Sequence, residues 1–357
     1  MILEDRIRKW IIALAALIIL LLVLVYINYR RSSYLVIDGF AQGTTYHIIY
    51  IPDLSIDFLL HKDEFLFQDE IDSLLRRIDE SLSLYHPESI ISRINRNDSL
   101  VIADELFETV FRKAVEVSAI TDGAFDITVG PVVNAWGFGP GERERVDSAM
   151  IDSLLQYVGM EKVSMVGDRV VKSLDGVLLD LNAIAQGYSV DLLARFFENR
   201  GIDRYLVELG GEVSASGLKN AREQWKIGVD KPIDNNLIPG RELQVIVSLY
   251  NRSLATSGNY RKFYVENGVK YSHTIDPATG YPVTHNLLSA TIVANDCMTA
   301  DAFATACMVM GLEKSIDMIS QLDELDAFFI YSGNDGAFET WATEGFLEMI
   351  EERSSER

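Results

Sequence analysis

The pattern of apolar and polar positions divides the chain into two unlike parts. From Trp10 to Tyr26, seventeen consecutive residues are apolar or aromatic and none is charged. Continued through Ile27, Asn28 and Tyr29, the run makes about 30 Å of helix at 1.5 Å per residue, enough to cross a bilayer. Arg6, Arg8 and Lys9 precede it and Arg30 and Arg31 follow, so flanking charge sets its orientation only weakly. The run ends Leu-Val-Tyr-Ile-Asn-Tyr-Arg-Arg, without the small residues of a signal-peptide cleavage site. Residues 1–32 are therefore expected to be an uncleaved transmembrane anchor, with the remaining chain outside the cytoplasm. The alternative is a buried core helix.

After the anchor the periodicity alternates between two and 3.6. Tyr34–Ile37 and Tyr46–Ile51 read as strands around a Gly-Thr-Thr turn. Ile71, Leu74, Leu75, Ile78 and Leu82 recur at helical spacing, predicting a helix from Asp69 to about Leu84. A second helix is predicted from about Asp104 to Ile120. Gly123 to Gly141 is punctuated by Gly and Pro and reads as irregular and exposed. Val177–Leu181 reads as an apolar strand interrupted by Asp180, leading through Asn182–Gln186 into a helix closed by Gly201. Strands are predicted at Tyr205–Leu209, Lys226–Val229, Leu243–Leu249, Ser289–Val293 and Ala327–Tyr331. Phe263–Thr274 reads as a hairpin with Asn267-Gly268 at its tip, and Thr299–Gly311 as a helix. Strands and helices mix without regular βα alternation. The expected class is α+β, with mixed or antiparallel sheets and packed helices, in one domain over 33–345 followed by a polar tail, 346–357.

Charge and composition narrow the function. Among 357 residues, 53 Asp and Glu outnumber 32 Lys and Arg, a formal net charge of −21. That balance argues against a nucleic-acid partner, since phosphate backbones need a basic face. Apolar residues at 48% and aromatics at 10% argue against disorder. Cys297 and Cys307, the two cysteines, cannot form a disulfide framework, and no Cys/His cluster offers a zinc or iron–sulfur site.

Five segments are poorly explained by packing. Gly43-Thr44-Thr45-Tyr46 is either a turn or a backbone-amide cradle for phosphate oxygens. Asp122 to Gly139 interleaves glycines, acids and aromatics with no amphipathic pattern, as a ligand-lining loop would. Tyr85 and Trp136 could each supply a flat face for an aromatic ring, or be core. Asp180 to Asp191 sets an acid at the end of an apolar run before a glycine-containing helix start; helix capping by Asp180 or Asn182 is the structural alternative. Glu208-Leu-Gly-Gly-Glu212 could be a bulge. In the last segment, Ser272–Gly280 holds His273 and Asp276 among hydroxyls, while Asp301 and Thr305 lie at i and i+4 on one helix face. A carboxylate and a hydroxyl together suit a hard cation such as Mg²⁺.

Taken in order, these segments resemble the ApbE family, the FAD:protein FMN transferases, over about Gly43 to Gly311. The resemblance rests on GTTY, Ser83-Leu-Tyr85 followed by Ser89-Ile-Ile-Ser92, DGAFDITVGPVVNAWGFG, DLNAIAQGYSVD, VELGGE, ATSGNYR, HTIDPATGYP and ADAFATACMVMG. It implies Mg²⁺-dependent transfer of FMN from FAD to a Thr or Ser hydroxyl of an acceptor flavoprotein, with release of AMP. The acceptors implied belong to extracytoplasmic or membrane redox complexes, which agrees with a single-pass anchor in a bacterial cytoplasmic membrane. By the family's motifs, the carbonyl of Ala185 and the side chains of Asp301 and Thr305 would hold the metal. FAD would lie against Gln42, Gly43, Thr44, Tyr85, Ala124, Phe125, Asp126, Tyr188, His273 and Ile275. His273, with Asp276 close by in sequence, is the candidate base, because an unperturbed imidazole titrates near working pH. Gln42 stands where the family usually has Met, and Gln186 where many members have Lys. The competing readings are an FAD-binding carrier, a Mg²⁺-dependent FAD pyrophosphatase yielding FMN and AMP, and a non-enzymatic envelope scaffold.

Overall fold

A computed structural model describes residues 2–32, 34–52, 66–141, 143, 145–220, 222–233, 242–260, 263–266 and 269–351. Its first helix, α1 (Ile2–Ser32), precedes a hairpin of β1 (Leu35–Ala41) and β2 (Thr44–Tyr50). Helices α2 (Gln68–Leu82), α3 (Ile90–Asn95), α4 (Glu105–Ile120), α5 (Gly130–Ala135) and α6 (Ser148–Leu155) follow. A small ribbon, β3 (Val163–Val166) with β4 (Arg169–Lys172), leads to α7 (Ala185–Glu198). Next come β5 (Tyr205–Leu209), β6 (Glu212–Ser216), β7 (Trp225–Asp230), β8 (Leu243–Leu249) and β9 (Arg252–Gly258). The chain continues through β10 (Phe263–Glu266), β11 (Val269–Ser272), β12 (Leu287–Ala294), α8 (Cys297–Met310) and α9 (Leu312–Ile319). It closes with β13 (Asp326–Ser332), β14 (Phe338–Ala342) and α10 (Glu344–Met349).

Eight strands form one sheet in the order β1-β2-β5-β6-β9-β12-β13-β14, and every neighbouring pair is antiparallel. Alternation along the central strands supplies both faces. In β12, Ala290 and Ile292 enter the main core with α7 and α8, while Val293 turns to a second core with Trp225, Val247 and Phe346. The α+β class with antiparallel strands and packed helices is thus the observed architecture.

Four local expectations change. Residues 123–141 are not simply irregular and exposed: α5 lies within them, and Gly130, Pro131 and Val132 are buried. Pro131 presets a helical φ in the first turn, and a Cβ at Gly130 would meet the Leu178 carbonyl at 2.6 Å. Val177–Leu181 makes one isolated bridge, Val129 to Leu178, rather than a strand. The side chain of Asn95 takes the place of a neighbouring strand, accepting from Leu179 N–H at 2.8 Å and donating to its carbonyl at 2.9 Å. Gly210-Gly211 is the turn of the β5–β6 hairpin rather than a bulge. The fold also runs past residue 345. Phe346 is fully buried, Ile350 bridges Val247, and Glu351 pairs with Lys226 at 2.8 Å.

The hairpin of β10 and β11 is present, and its expected Asn267-Gly268 tip lies outside the described residues. Cys297 and Cys307 are both buried, unpaired thiols within α8. Among the described residues, no helix is long and apolar enough to cross a membrane. The expected span, Trp10 to Tyr26, extends beyond residues 6–21, where the side chains of α1 are described.

Candidate active site

The convergence of α7 and α8 builds the floor of the site. A Cβ at Gly187 would sit 2.5 Å from the Cys297 carbonyl and 2.8 Å from Asp301 Cβ, so only glycine lets the two helices meet here. At that contact Gly187 N–H donates to Asp301 Oδ2 at 3.0 Å. Asp191, one turn along α7, accepts from the N–H groups of Cys297 and Met298 at 2.7 and 2.9 Å. Those are orphan donors at the start of α8, and Asp296 caps the next, Thr299 N–H, at 2.8 Å.

Above this floor opens a cavity of about 810 Å³, within the range of small-molecule sites. Ala185, Asp301 and Thr305 all line it. So do Gln42, Gly43, Tyr85, Ala124, Phe125, Asp126, His273 and Ile275. Thr44, Tyr188 and Asp276 do not. Thr44 opens β2, with its methyl group facing Gly210. Tyr188 is 2% exposed in the main core, with the Arg195 guanidinium 5.6 Å from its ring centroid.

Asp276 belongs to its own turn instead of pairing with His273. Its Oδ1 accepts Ala278 N–H at 2.9 Å, its Oδ2 accepts the Thr279 hydroxyl at 3.0 Å, and its backbone N–H reaches the Tyr281 carbonyl. Trp136 fastens the same turn by donating to the Gly280 carbonyl at 2.8 Å, and this buried ring is not among the residues that line the cavity. The turn presents His273 and Ile275 to the cavity, and the His273 ring lies edge-on to Phe138 at 6.4 Å.

Hydroxyls place the opposite wall. Ser89 caps α3 by accepting Ser92 N–H at 3.1 Å, and donates to the Ser83 carbonyl at 2.7 Å. Ser83 Oγ in turn accepts Tyr85 N–H at 3.2 Å, which fixes the segment carrying this 65% exposed ring. Asp126 Oδ1 accepts both donors of Thr128, at 2.7 and 2.6 Å. Burial pushes Asp126 up, partly countered by those two bonds. Asp180 makes an Asx turn with Asn182 N–H at 2.9 Å and does not cap α7.

The electrostatics of the wall are one-sided. Asp79, Asp126, Asp180, Glu212 and Asp301 all line the cavity, and among its described lining residues there is neither Lys nor Arg. Burial pushes Asp301 up to about 7, against the pull of the Gly187 N–H. Thr305 Oγ1 lies 3.2 Å from Ser257 Oγ. Carboxylate, hydroxyl and carbonyl are all hard oxygen donors, the set that suits Mg²⁺ better than a soft metal. No group of three or more His, Cys, Asp or Glu able to hold a metal occurs among the described residues, so two of the three donors would have to be uncharged. The fit to Mg²⁺ rests on the buried, cation-poor carboxylate of Asp301.

Asp79 and Glu212 were absent from the sequence-derived site. Asp79 sits in the last turn of α2, where the helix dipole disfavours an acid, and that placement was its available signal. Glu212 closes the noted VELGGE segment, whose double glycine turn aims it inward.

A sequence model of the ApbE family matches residues 42–329. A Vibrio cholerae protein named FAD:protein FMN transferase is 34% identical over 348 residues, 96% of this chain and 99% of its own length. A Haemophilus influenzae protein of the same name is 33% identical, over 90% of this chain and 93% of its own. The solved flavin transferase ApbE from Vibrio cholerae superimposes with a TM-score of 0.78 at 34% identity, covering 89% of this chain and 99% of that one. With a family model matching residues 42–329 and a relative 34% identical along 96% of this sequence, the chain belongs to the ApbE family.

Proposed function

We propose that this enzyme is an FAD:protein FMN transferase that moves FMN from FAD to a Thr or Ser hydroxyl of an acceptor flavoprotein, releasing AMP in a Mg²⁺-dependent reaction. The observation that supports the metal requirement is the cavity wall: five carboxylates and, among the described lining residues, no Lys or Arg where a dianionic pyrophosphate would bind. Without a cation that wall repels its substrate. Ala185, Asp301 and Thr305 would hold Mg²⁺, which when bound neutralises charge on the phosphates and on the leaving AMP.

The chain's own residues bind and orient the reactants. Tyr85 and the 124–126 segment offer the flavin an aromatic surface and a polar edge. His273 accepts the proton of the acceptor hydroxyl as its oxygen bonds to the FMN phosphorus and the phosphorus–oxygen bond to AMP breaks. A positioned base of this kind contributes about 10²–10⁴-fold.

Helix α1 is read as the anchor of a single-pass protein in a bacterial cytoplasmic membrane, with the catalytic domain outside the cytoplasm. Supporting this, Trp10, Ile11, Ile12, Leu14 and residues 17–21 are all at least 49% exposed, with no polar face among them.

Nucleotide analysis of the full chain in detergent with FAD, Mg²⁺ and an acceptor domain tests the reading. AMP formed together with protein-bound FMN is expected. AMP with free FMN indicates the pyrophosphatase instead, and unchanged FAD a flavin carrier.

A further inference from the structure

We propose that a second groove, beside the cavity, seats the stretch of acceptor chain that flanks the modified Thr or Ser. The inference rests on the transferase reading of the cavity, in which FMN leaves on a hydroxyl carried by another polypeptide. The groove has a volume of about 530 Å³ and shares two lining residues with the cavity, Ala124 and Val309. The 275–278 segment divides the two: Ile275 and Pro277 line the cavity, Asp276 and Ala278 the groove. His273, the candidate base, lies five residues before Ala278. Five residues of extended chain span at most about 18 Å, so an acceptor segment of that length reaches from the groove to the base.

The groove is held in shape from both sides. On one side, the Asp276 turn is fixed by its bonds to Ala278 and Thr279 and by the Trp136 indole on Gly280. On the other, the buried Thr121 hydroxyl donates to the Val117 carbonyl at 2.8 Å and accepts Phe125 N–H at 3.1 Å. Gly123 N–H closes on the Ser118 carbonyl at 2.9 Å. Asp122 and Gly123 turn the chain there with φ of +51° and +79°, a region that both residue types tolerate. A groove already formed takes up a partner without the cost of ordering itself.

Its chemistry is that of a protein contact. Buried Met318 and half-buried Val309, Met310 and Leu322 give it an apolar lining. Exposed Lys314, Asp317 and Gln321, on α9 and just beyond it, give it a polar rim. An apolar centre within a polar rim is the layout of a protein–protein interface, and methionines adapt to the side chains they meet. Asp122, Asp276 and Asp317 outnumber Lys314, which disfavours a phosphate group as the occupant. The occupant these features fit is an extended, predominantly apolar segment of the acceptor, within about five residues of its Thr or Ser.

The test measures KM for a purified acceptor domain and kcat of FMN transfer, with the full chain in detergent at saturating FAD and Mg²⁺. The proteins are the parent, Asp317→Trp and Gln321→Trp, which set an indole over the groove from its exposed rim, and Glu313→Trp. Glu313 is exposed on the same helix but does not line the groove. Asp317→Trp and Gln321→Trp are each expected to raise the acceptor KM about tenfold, the scale of losing one interface hot spot. Their kcat, FAD affinity and melting temperature should stay near the parent's, and Glu313→Trp should keep the parent KM. Unchanged KM in both groove variants overturns the inference alone, and so does an equal rise in Glu313→Trp. FAD affinity that falls in step with KM gives the groove to the dinucleotide, and a changed oligomeric state by light scattering gives it to a second copy of the chain; either overturns the inference. Absence of transfer by the parent overturns the transferase reading, and the inference with it.

Discussion

At the residue scale, Asp301 concentrates the electrostatic cost of the site. Its carboxyl is buried beneath the cavity, and burial raises it to about 7. A cation needs the ionised form, so Mg²⁺ affinity should rise by up to tenfold per pH unit below about 7 and level off above it. Without metal, stability runs the other way. The folded state favours the neutral acid, so stability contributed by Asp301 is present below about 4 and lost as pH rises through about 7. Titrating Mg²⁺ at pH 6, 7 and 8 checks the first statement, and a flat profile would contradict it. His273→Ala should lower the transfer rate by about 10²–10⁴-fold with a far smaller change in FAD affinity. Equal losses in rate and affinity would make His273 a ligand-positioning residue.

Cavity-lining positions were legible where polar groups broke a pattern. Asp301 and Thr305 stood out on an otherwise small, apolar helix, and Ala124–Asp126 in a glycine-rich stretch with no amphipathic spacing. Asp79 did not, because an acid on an amphipathic helix reads as part of its solvated face. Proximity in sequence also misplaced Asp276: three residues from His273, its carboxylate is turned into hydrogen bonds of its own loop.

At the scale of elements, strongly periodic helices were readable and Ser-rich strands were not. The helices α2 and α4 begin and end within two residues of the positions their apolar spacing predicts. The strands β6 and β9, Glu-Val-Ser-Ala-Ser and Arg-Ser-Leu-Ala-Thr-Ser-Gly, lack β-branched alternation. Their place in the middle of the sheet, hydrogen-bonded on both sides, makes them strands. The closeness of α7 and α8 was likewise invisible, since a glycine inside a helix does not announce its neighbour. Gly187→Ala should therefore cost about 1–3 kcal/mol, because the methyl group meets Cys297 backbone instead of a movable side chain. It should also displace Asp301 and weaken Mg²⁺ binding. Chemical denaturation with a parallel metal titration measures both, and a neutral substitution would show that the helices can part without consequence.

At the scale of the molecule, charge and function are linked. A chain of net charge −21 with a carboxylate-lined cavity handles an anionic substrate, which makes the cation central to the account. The proposed membrane anchor belongs to this scale too. Deleting residues 1–32 should move the protein from the membrane to the soluble fraction while leaving the domain folded, as fractionation and melting curves would report. The most direct test of the whole is intact-mass analysis of an acceptor domain incubated with the full chain, FAD and Mg²⁺. The account predicts a gain of one FMN that requires the metal, the acceptor's Thr or Ser hydroxyl and Asp301. A gain of the same size without Mg²⁺, or undiminished in Asp301→Ala, would contradict it.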